Sequence, residues 1–259
     1  MATCVAYKPN EKLKNIFKSF IIDGKKLKSW NQLYNKMISI LQSRNKSNQW
    51  TKQIYQVLRK RNNRVNDYIN KACKKIVDYC LNNDINNIIL GYNQGIKQNI
   101  ELGKINNQNF VNIPFYKIKE NLAYRCEGNK INLIIQEESY TSKANFINND
   151  YIPIYGKTEL RKNVYDENSK YKFTGKRIKR GLYKYNEDLK LKLDYINADM
   201  NGSLNIMRKY LNNKSNIVND SRIDDIKLVE DFRRVLYDRG VLVTPIRIRL
   251  YKSKKLERI

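Results

Sequence analysis

The apolar residues of this chain alternate between short extended runs and long helical periods, and this alternation limits the possible folds most strongly. Residues 2–7 and 19–23 are predicted strands, with a turn at Gly24. From 29 to 81 the apolar residues recur every three or four positions, which indicates helices. A buried strand is predicted at 88–91. The first part of the chain is therefore expected to mix strands with helices.

The second part continues the alternation with longer polar connections. A helix is predicted between Phe110 and Tyr124, and Pro114 near its start is harmless because no N–H is needed there. The apolar run 131–136 predicts another strand, whereas the basic, Tyr-rich stretch 144–196 reads as irregular. The remaining expectations are a helix over 199–211, a polar linker over 212–221, a helix over 224–237, a turn at Gly240 and a strand-like run over 241–250.

The charge of the chain predicts a polyanionic partner. It has 51 Lys and Arg against 25 Asp and Glu, a formal net charge of +26. Such an excess destabilises a compact chain through self-repulsion, so nucleic acid is the expected partner. An alternative is codon bias, because Lys, Asn and Ile are abundant together. That bias adds Lys but leaves the small number of acidic residues unexplained.

Composition also excludes several classes of protein. No apolar run is long enough to span a membrane, and no apolar signal region is present, so a cytoplasmic location is expected. The absence of His excludes a His-based metal site or general base. The four cysteines form no C-x-x-C pair, so no zinc is expected. Cys73 and Cys80 share one helix face and are predicted to line a core with reduced thiols.

Two acidic positions are the candidate catalytic groups. Glu137 and Glu138 end the apolar run 131–136, and Asp199 opens a helix about sixty residues later. Nucleases that hold divalent metal ions need carboxylates brought together from separate elements. Only one of the two glutamates can point at such a site, because side chains alternate along a strand. Structural alternatives remain open: Asp199 as a helix N-cap, and both glutamates as solvated residues at a strand end.

Basic and aromatic residues supply the candidate nucleic-acid contacts. Lys176, Arg177, Lys179 and Arg180 are the foremost candidates for phosphate contact. The basic cluster within 59–64 is either a solvated helix face or a second phosphate contact. Several tyrosines interleave with Lys and Arg, as base-stacking residues do, although a core or surface position is the more frequent one for any single tyrosine. These tyrosines are Tyr140, Tyr151, Tyr155, Tyr165, Tyr171, Tyr183 and Tyr185.

Several sequence blocks, in order, resemble a known family. They are GYNQGIKQ, NQNFVNIPFYKIKENLAYRCE, EESYTSKANF, GKRIKRGLY and NADMNGSLNIMRK. From about Ala2 to Leu211 the chain resembles the C-terminal half of the TnpB/OrfB proteins of insertion sequences. These are transposon-encoded, RNA-guided DNA endonucleases related to type V CRISPR effectors. The YTSK and NADxNGxxNI blocks are specific together, because both their order and their spacing agree.

The resemblance implies an α/β protein with a RuvC-type, RNase H-like fold, in which helices flank a mixed sheet. Family members hold two Mg²⁺ ions with three acids and cleave a DNA strand, with guide RNA and DNA as partners. Asp199 matches the third acid, and Glu138 is predicted to be the second, so both are predicted catalytic residues and Mg²⁺ ligands. Within the matching blocks, Lys143 and Asn201 are predicted to contact nucleic acid.

Two departures from the family pattern affect the site. Many members carry the second acid where this chain has Leu90-Gly91-Tyr92, whereas a subgroup places it before SYTSK, as here. Many members also have a four-Cys zinc ribbon between the second and third acids. Residues 144–196 contain no Cys, so that ribbon is not expected.

A third departure is the most serious for activity. In the family the first acid lies on a strand just before the position of Met1, so the sheet is expected to be incomplete, lacking its first central strand. The expected division is a partial RuvC-like nuclease domain over 1–211 and a basic C-terminal tail over 212–259. With two carboxylates, Mg²⁺ binding and cleavage should be impaired. Three possibilities stay open: a nuclease completed by a separately encoded N-terminal fragment, a nuclease-dead DNA/RNA-binding protein, or a decaying transposon remnant.

Overall fold

The computed structural model describes residues 2–8, 17–45, 49–93, 114–154, 171–185, 195–215, 225–239 and 245–251. These residues form a mixed α/β structure, as predicted. The strands are β1 (Ala2–Tyr7), β2 (Phe17–Ile22), β3 (Asn87–Gly91), β4 (Asn132–Gln136), β5 (Lys176–Lys179), β6 (Leu182–Lys184), β7 (Tyr195–Ile196) and β8 (Ile246–Ile248). The helices are α1 (Lys25–Ser43), α2 (Lys52–Leu81), α3 (Phe115–Gly128), α4 (Ala198–Ser215) and α5 (Asp225–Arg239).

The first sheet joins the two ends of the chain. Strand β1 pairs with β2 in the antiparallel sense, and β8 adds to the other side of β2 in the parallel sense. Phe20 and Ile22 of β2 are buried and pair with Ile246 and Ile248. Part of the segment predicted as a basic tail therefore belongs to this sheet. The segment also provides α5, whose Phe232 is fully buried in the core.

The second sheet consists of β3 and β4, which are parallel. Their register runs from Asn87 opposite Asn132 to Gly91 opposite Gln136. Both strands therefore end at the same edge of the sheet, and the glutamates that follow Gln136 begin at that edge. Strands β3 and β4 confirm the predicted strands at 88–91 and 131–136.

The third sheet corrects the sequence reading, which expected irregular structure over 144–196. Strands β5, β6 and β7 form a small antiparallel sheet. These strands have only two to four residues, and β5 (KRIK) is exposed along its whole length. No apolar alternation marks these strands, because only two of their side chains, Tyr183 of β6 and Ile196 of β7, are fully buried. The middle of this stretch, at 155–170 and 186–194, lies outside the described residues.

Helices α1 and α2 divide the long helical stretch predicted over 29–81. Thr51 caps α2, and its Oγ1 accepts a hydrogen bond from the Ile54 N–H at 3.4 Å. The C-terminal half of α2 is buried against α3, where Cys73, Cys80 and Cys126 line one apolar cluster. The core role predicted for Cys73 and Cys80 is confirmed, and burial raises the pKa of each of these two thiols to about 11. None of the described helices combines the length and apolar character needed to cross a bilayer.

Helix α4 connects the three sheets. Met200 and Leu204 pack into the main core with Phe146 and Tyr183, and the helix also contacts β1 and β3. The helix begins at Ala198 and extends to Ser215, so it includes the start of the predicted linker at 212–221. Because it touches every sheet, α4 determines where the candidate acids lie.

Candidate active site

The Glu138 carboxylate lies above the end of the neighbouring strand β3. A Cβ atom placed on Gly91 would lie 2.7 Å from Glu138 Oε2 and 2.5 Å from Ile206 Cδ1 of α4. The carboxylate therefore occupies the space that a side chain at position 91 would need. A glycine in β3 is what allows an acid from the turn after β4 to reach this position.

Backbone bonds fix the turn that carries Glu138. Its N–H donates to Asn93 Oδ1 at 2.9 Å, and its carbonyl accepts from Thr141 Oγ1 at 2.8 Å. Burial raises the pKa of the Glu138 carboxyl above its ordinary value, and the neighbouring charge of Glu137 raises it further. A bound cation would offset both effects, because it favours the charged form. Asn93, which follows β3, was not predicted as a site residue.

Glu137 has a different and structural role. Its carboxylate contacts the ammonium group of Lys209 on α4 and accepts from the Ser139 N–H at 2.6 Å. Lys209 is only 5% exposed and also donates to the Pro153 carbonyl at 3.0 Å. Burial alone would raise the Glu137 pKa, but the bonds from Lys209 and Ser139 outweigh it and lower the pKa. Glu137 is therefore held by α4, and Glu138 is the glutamate that faces β3.

Asp199 lies in the first turn of α4, but it is not the helix cap. The side chain of Asn197 accepts hydrogen bonds from the N–H groups of Asp199 and Met200, at 3.0 and 3.1 Å. The N-cap alternative for Asp199 is therefore wrong, since the helix begins one residue earlier than predicted. The Asp199 side chain is 51% exposed, and its Oδ1 lies 3.7 Å from a guanidinium nitrogen of Arg177.

Glu138 and Asp199 lie beside the same face of α4, but not in one cluster. Asp199, Ser203 and Ile206 follow the i, i+4, i+7 spacing of a helix face, and Ile206 meets Glu138 above Gly91. The backbones of Asp199 and Ile206 are seven residues apart, roughly 10 Å along the helix axis. Among the residues that the structure describes, no three Asp, Glu or Cys side chains group as metal ligands.

The structure corrects the role predicted for Asn201. Its side chain is fully buried: Oδ1 accepts from the Phe146 N–H at 3.1 Å, and Nδ2 donates to the Ala144 carbonyl at 2.8 Å. One turn later, Asn205 Nδ2 donates to the carbonyls of Thr141 and Ala144. Both side-chain amides bind the backbone of the loop after Glu138, because buried backbone groups need hydrogen-bond partners. The backbone groups of α4 cannot supply them, since they are bonded within the helix. Asn201 is therefore not available to nucleic acid.

The predicted phosphate-contacting residues lie on an exposed hairpin beside Asp199. Lys176, Arg177 and Lys179 on β5, and Arg180 in the turn after it, are all exposed. The exposed Lys143 lies nearby in the fold, because its carbonyl accepts a hydrogen bond from Tyr183 of β6 at 2.7 Å.

The candidate stacking tyrosines have several environments. Tyr183 and Tyr185 are buried core residues, whereas Tyr140 contacts Tyr171 edge to face at 5.0 Å. Tyr155 and Tyr165 lie outside the described residues. The two buried tyrosines are therefore excluded as stacking platforms for bases.

Comparison with known proteins supports the family expected from the sequence. Residues 6–97 match the OrfB_IS605 family model, described as a probable transposase. The predicted TnpB/OrfB resemblance is confirmed. The matched range includes Gly91 and Asn93 but ends before Glu138 and Asp199.

Two further comparisons give no match and a weak structural match, respectively. No curated protein matches this chain. A chain in the cryo-EM structure of the Cas12f1–sgRNA–target DNA complex is similar at a TM-score of 0.46 and 15% identity, over 81% of this chain. This chain spans about half of that protein, because the match covers 50% of it.

Proposed function

We propose that this chain is the RuvC-like part of a TnpB/OrfB-type RNA-guided DNA endonuclease, with an RNase H-like fold over residues 1–211. One observation carries the proposal. A half-buried carboxylate, Glu138, lies above Gly91 at the ends of two parallel strands, on the helix face that begins with Asp199. Ligands of open α/β sheets bind at this edge, where parallel strands end. The probable-transposase match over 6–97 supports the same assignment.

The carboxylate oxygens of Glu138 and Asp199 are the kind of ligand that a hard cation prefers, but two carboxylates are one fewer than the site needs. Glu138 and Asp199 would hold Mg²⁺, which prefers carboxylate oxygens, and Mg²⁺ would supply charge stabilisation and an activated water for phosphodiester hydrolysis. Asp199 and Ile206, the residue of α4 that meets Glu138, are roughly 10 Å apart along the helix, which leaves room for another ligand between the two acids. The described residues do not provide it, so the proposal includes a third carboxylate from elsewhere.

The outer strands of the first two sheets suggest a place for that carboxylate, because each has one unpaired side among the described residues. The described strands pair with β1 on one side only, and with β3 on one side only. The face of α4 contacts both edge strands: Ser203 Oγ donates to the Thr3 carbonyl of β1 at 3.2 Å, and Ile206 packs over Gly91 of β3. A strand between them would place an acid near Glu138 and Asp199. We propose a separately encoded N-terminal fragment as its source.

The positive charge of the chain is the basis for the proposed nucleic-acid partners. The hairpin residues Lys176, Arg177, Lys179 and Arg180 are exposed, and Arg177 lies beside Asp199. Arg and Lys in this position would bind the phosphates of the DNA strand to be cleaved. Guide RNA is proposed as the second partner of the OrfB-like protein, and its binding would account for more of the net charge of +26.

Cleavage of labelled single-stranded DNA tests the proposal. The purified chain is incubated with Mg²⁺ or with EDTA, alone and with a fragment carrying the first-acid strand. Cleavage that requires Mg²⁺ and is lost in both Glu138→Gln and Asp199→Asn is the expected result. Glu127→Gln is the matched control, because Glu127 is an exposed glutamate on α3, away from the site. Cleavage that survives either site substitution would refute the assignment of the acids.

A nuclease-dead DNA/RNA-binding protein is the second candidate. The observation that favours it is the missing third acid among the described residues, together with the Arg177 guanidinium beside Asp199. Salt-sensitive DNA binding without cleavage, in the presence of the fragment as well, would support this candidate. Neither binding nor cleavage would indicate a decaying remnant.

A further inference from the structure

The helical hairpin of α1 and α2 is a second basic surface, remote in sequence from both carboxylates. Between Asp23 and Asp67 the chain contains no acidic residue. Its basic residues in the two helices are Lys25, Lys26, Lys28, Lys36, Lys52, Arg59, Lys60, Arg61 and Arg64. An acid-free stretch of this length produces a field of one sign, which attracts polyanions.

One strip on the outer face of α2 combines this charge with aromatic rings. Lys52, Tyr55 and Arg59 follow the i, i+3, i+7 spacing of one helix face, and all three are exposed. Trp50, just before the helix, packs against Tyr55 with ring centroids 5.5 Å apart. The two rings are 52% and 59% exposed, although aromatic residues of this size are usually covered.

The strip is not needed to hold the hairpin together. Ile54, Val57 and Val65, on the opposite face of α2, are the buried residues of this half of the helix. Two other basic residues are structural. Arg61 Nε donates to Asn31 Oδ1 of α1 at 3.0 Å, and Arg64 lies over the Trp30 ring at 5.8 Å.

We propose that this strip binds a single-stranded polynucleotide. Lys52 and Arg59, which are separated by two helical turns or roughly 10 Å, contact two phosphates of the same strand that are not adjacent. The Tyr55 ring, which lies between them, and the Trp50 ring packed against it stack on bases of that strand. Exposed aromatic rings favour a single strand over a duplex, because the bases of a duplex are already stacked on one another. RNA and DNA share this chemistry, so either can occupy the strip.

A salt titration of binding tests whether the charges of Lys52 and Arg59 contact phosphates. The full-length chain is titrated with fluorescein-labelled single-stranded RNA, single-stranded DNA and duplex DNA of mixed sequence. The Lys52→Gln/Arg59→Gln variant should lower the slope of log affinity against log salt by about 1.4, at about 0.7 per lost phosphate contact on a single strand. Lys26→Gln/Lys75→Gln removes the same charge at exposed helix positions off the strip and should leave most of the slope intact.

Substitution of the tryptophan tests the stacking. Trp50→Ala should weaken single-strand binding by roughly tenfold, whereas Trp50→Phe keeps a ring and should preserve most of the affinity. Duplex binding should change little in either variant. Helical circular dichroism checks that each variant is folded. A stronger response to RNA than to DNA, or the reverse, would identify which polymer the strip prefers.

Three outcomes would overturn the proposal. They are an equal loss of slope in the control pair, no loss in the strip pair, and equal binding by Trp50→Ala and Trp50→Phe. The nuclease proposal is tested separately, because Asp199→Asn should abolish cleavage and leave strip-dependent binding unchanged. A failure of the strip would therefore leave the assignment of the acids intact.

Discussion

Replacement of Gly91 by alanine is the most direct test of how Glu138 is placed. The new Cβ would lie 2.5 Å from Ile206 Cδ1 and 2.7 Å from Glu138 Oε2. Carbon atoms in good contact are about 3.5–4.0 Å apart, so the isoleucine must retreat by roughly 1 Å. The carboxylate can turn away more easily, because it is the end of a flexible side chain.

Two opposing effects determine how much Gly91→Ala changes the free energy of unfolding. Insertion of a methyl group into a packed contact costs about 1–3 kcal/mol. Alanine also restricts the unfolded chain relative to glycine, which returns about 0.5 kcal/mol where the backbone conformation suits both residues. We therefore expect Gly91→Ala to lower the free energy of unfolding by about 1–2 kcal/mol and to displace the Glu138 carboxylate.

A double-mutant cycle measured by urea unfolding identifies the clash. Ile206→Val removes Cδ1, the atom nearest to the new Cβ, and by itself should cost about 0.5–1 kcal/mol at a half-buried site. In the Gly91→Ala/Ile206→Val protein the losses should fall short of additivity by about 1 kcal/mol. Gly128→Ala is the matched control, because a Cβ there meets no atom within 4 Å. Additive losses, or a Gly91→Ala protein as stable as the control, would refute this account of the site.

Three further predictions concern the surroundings of the site. Asn197→Ala should lower the free energy of unfolding by about 1 kcal/mol through loss of the α4 cap, and a smaller effect than that of Asp199→Ala would contradict the assignment of the cap. The lowered pKa of Glu137 means that its contribution to stability is present above its ordinary value of 4.5 and lost as the pH falls through the folded-state pKa. Glu137→Gln should therefore flatten the acid limb of a stability–pH curve, and an unchanged limb would show that the Lys209 contact contributes nothing. Because its thiol pKa is raised to about 11, Cys73 should resist iodoacetamide at mildly alkaline pH until denaturant is added, and rapid labelling of the folded protein, detected by mass spectrometry, would contradict its burial.

The acids were predictable from the sequence, but their partners were not. An apolar run that ends in Glu137-Glu138 and a helix that opens near Asp199 are local patterns, so both positions could be found as candidates, whereas their roles as second and third acids came only from the family resemblance. Which glutamate faces the site was decided by Lys209, which binds Glu137 from α4. A lysine within a helical pattern normally indicates a solvated position, so nothing in the sequence marked Lys209 as buried.

The same limit explains the errors at the start of α4. Asp and Asn are both good N-caps, and the sequence offers Asn197 and Asp199 two residues apart. The choice depends on where the backbone becomes helical, which the packing of Met200 and Leu204 in the core determines. The nucleic-acid contact predicted for Asn201 came from its place in the NADxNGxxNI block that resembles the family. Asn201 is buried because the loop after Glu138 exposes carbonyl and N–H groups that only α4 can satisfy.

The sequence by itself determined the mixed α/β class, the core role of Cys73 and Cys80, the resemblance to the TnpB/OrfB proteins and the strongly basic character of the chain. These properties depend on composition, periodicity and short motifs, which are local. Only the tertiary structure decided that the Glu138 carboxylate fills the space above Gly91, that Asp199 faces Arg177, and that Asn201 is buried. Those outcomes depend on which distant elements meet, and the register of two parallel strands and one crossing helix cannot be deduced from the residues on any one of them.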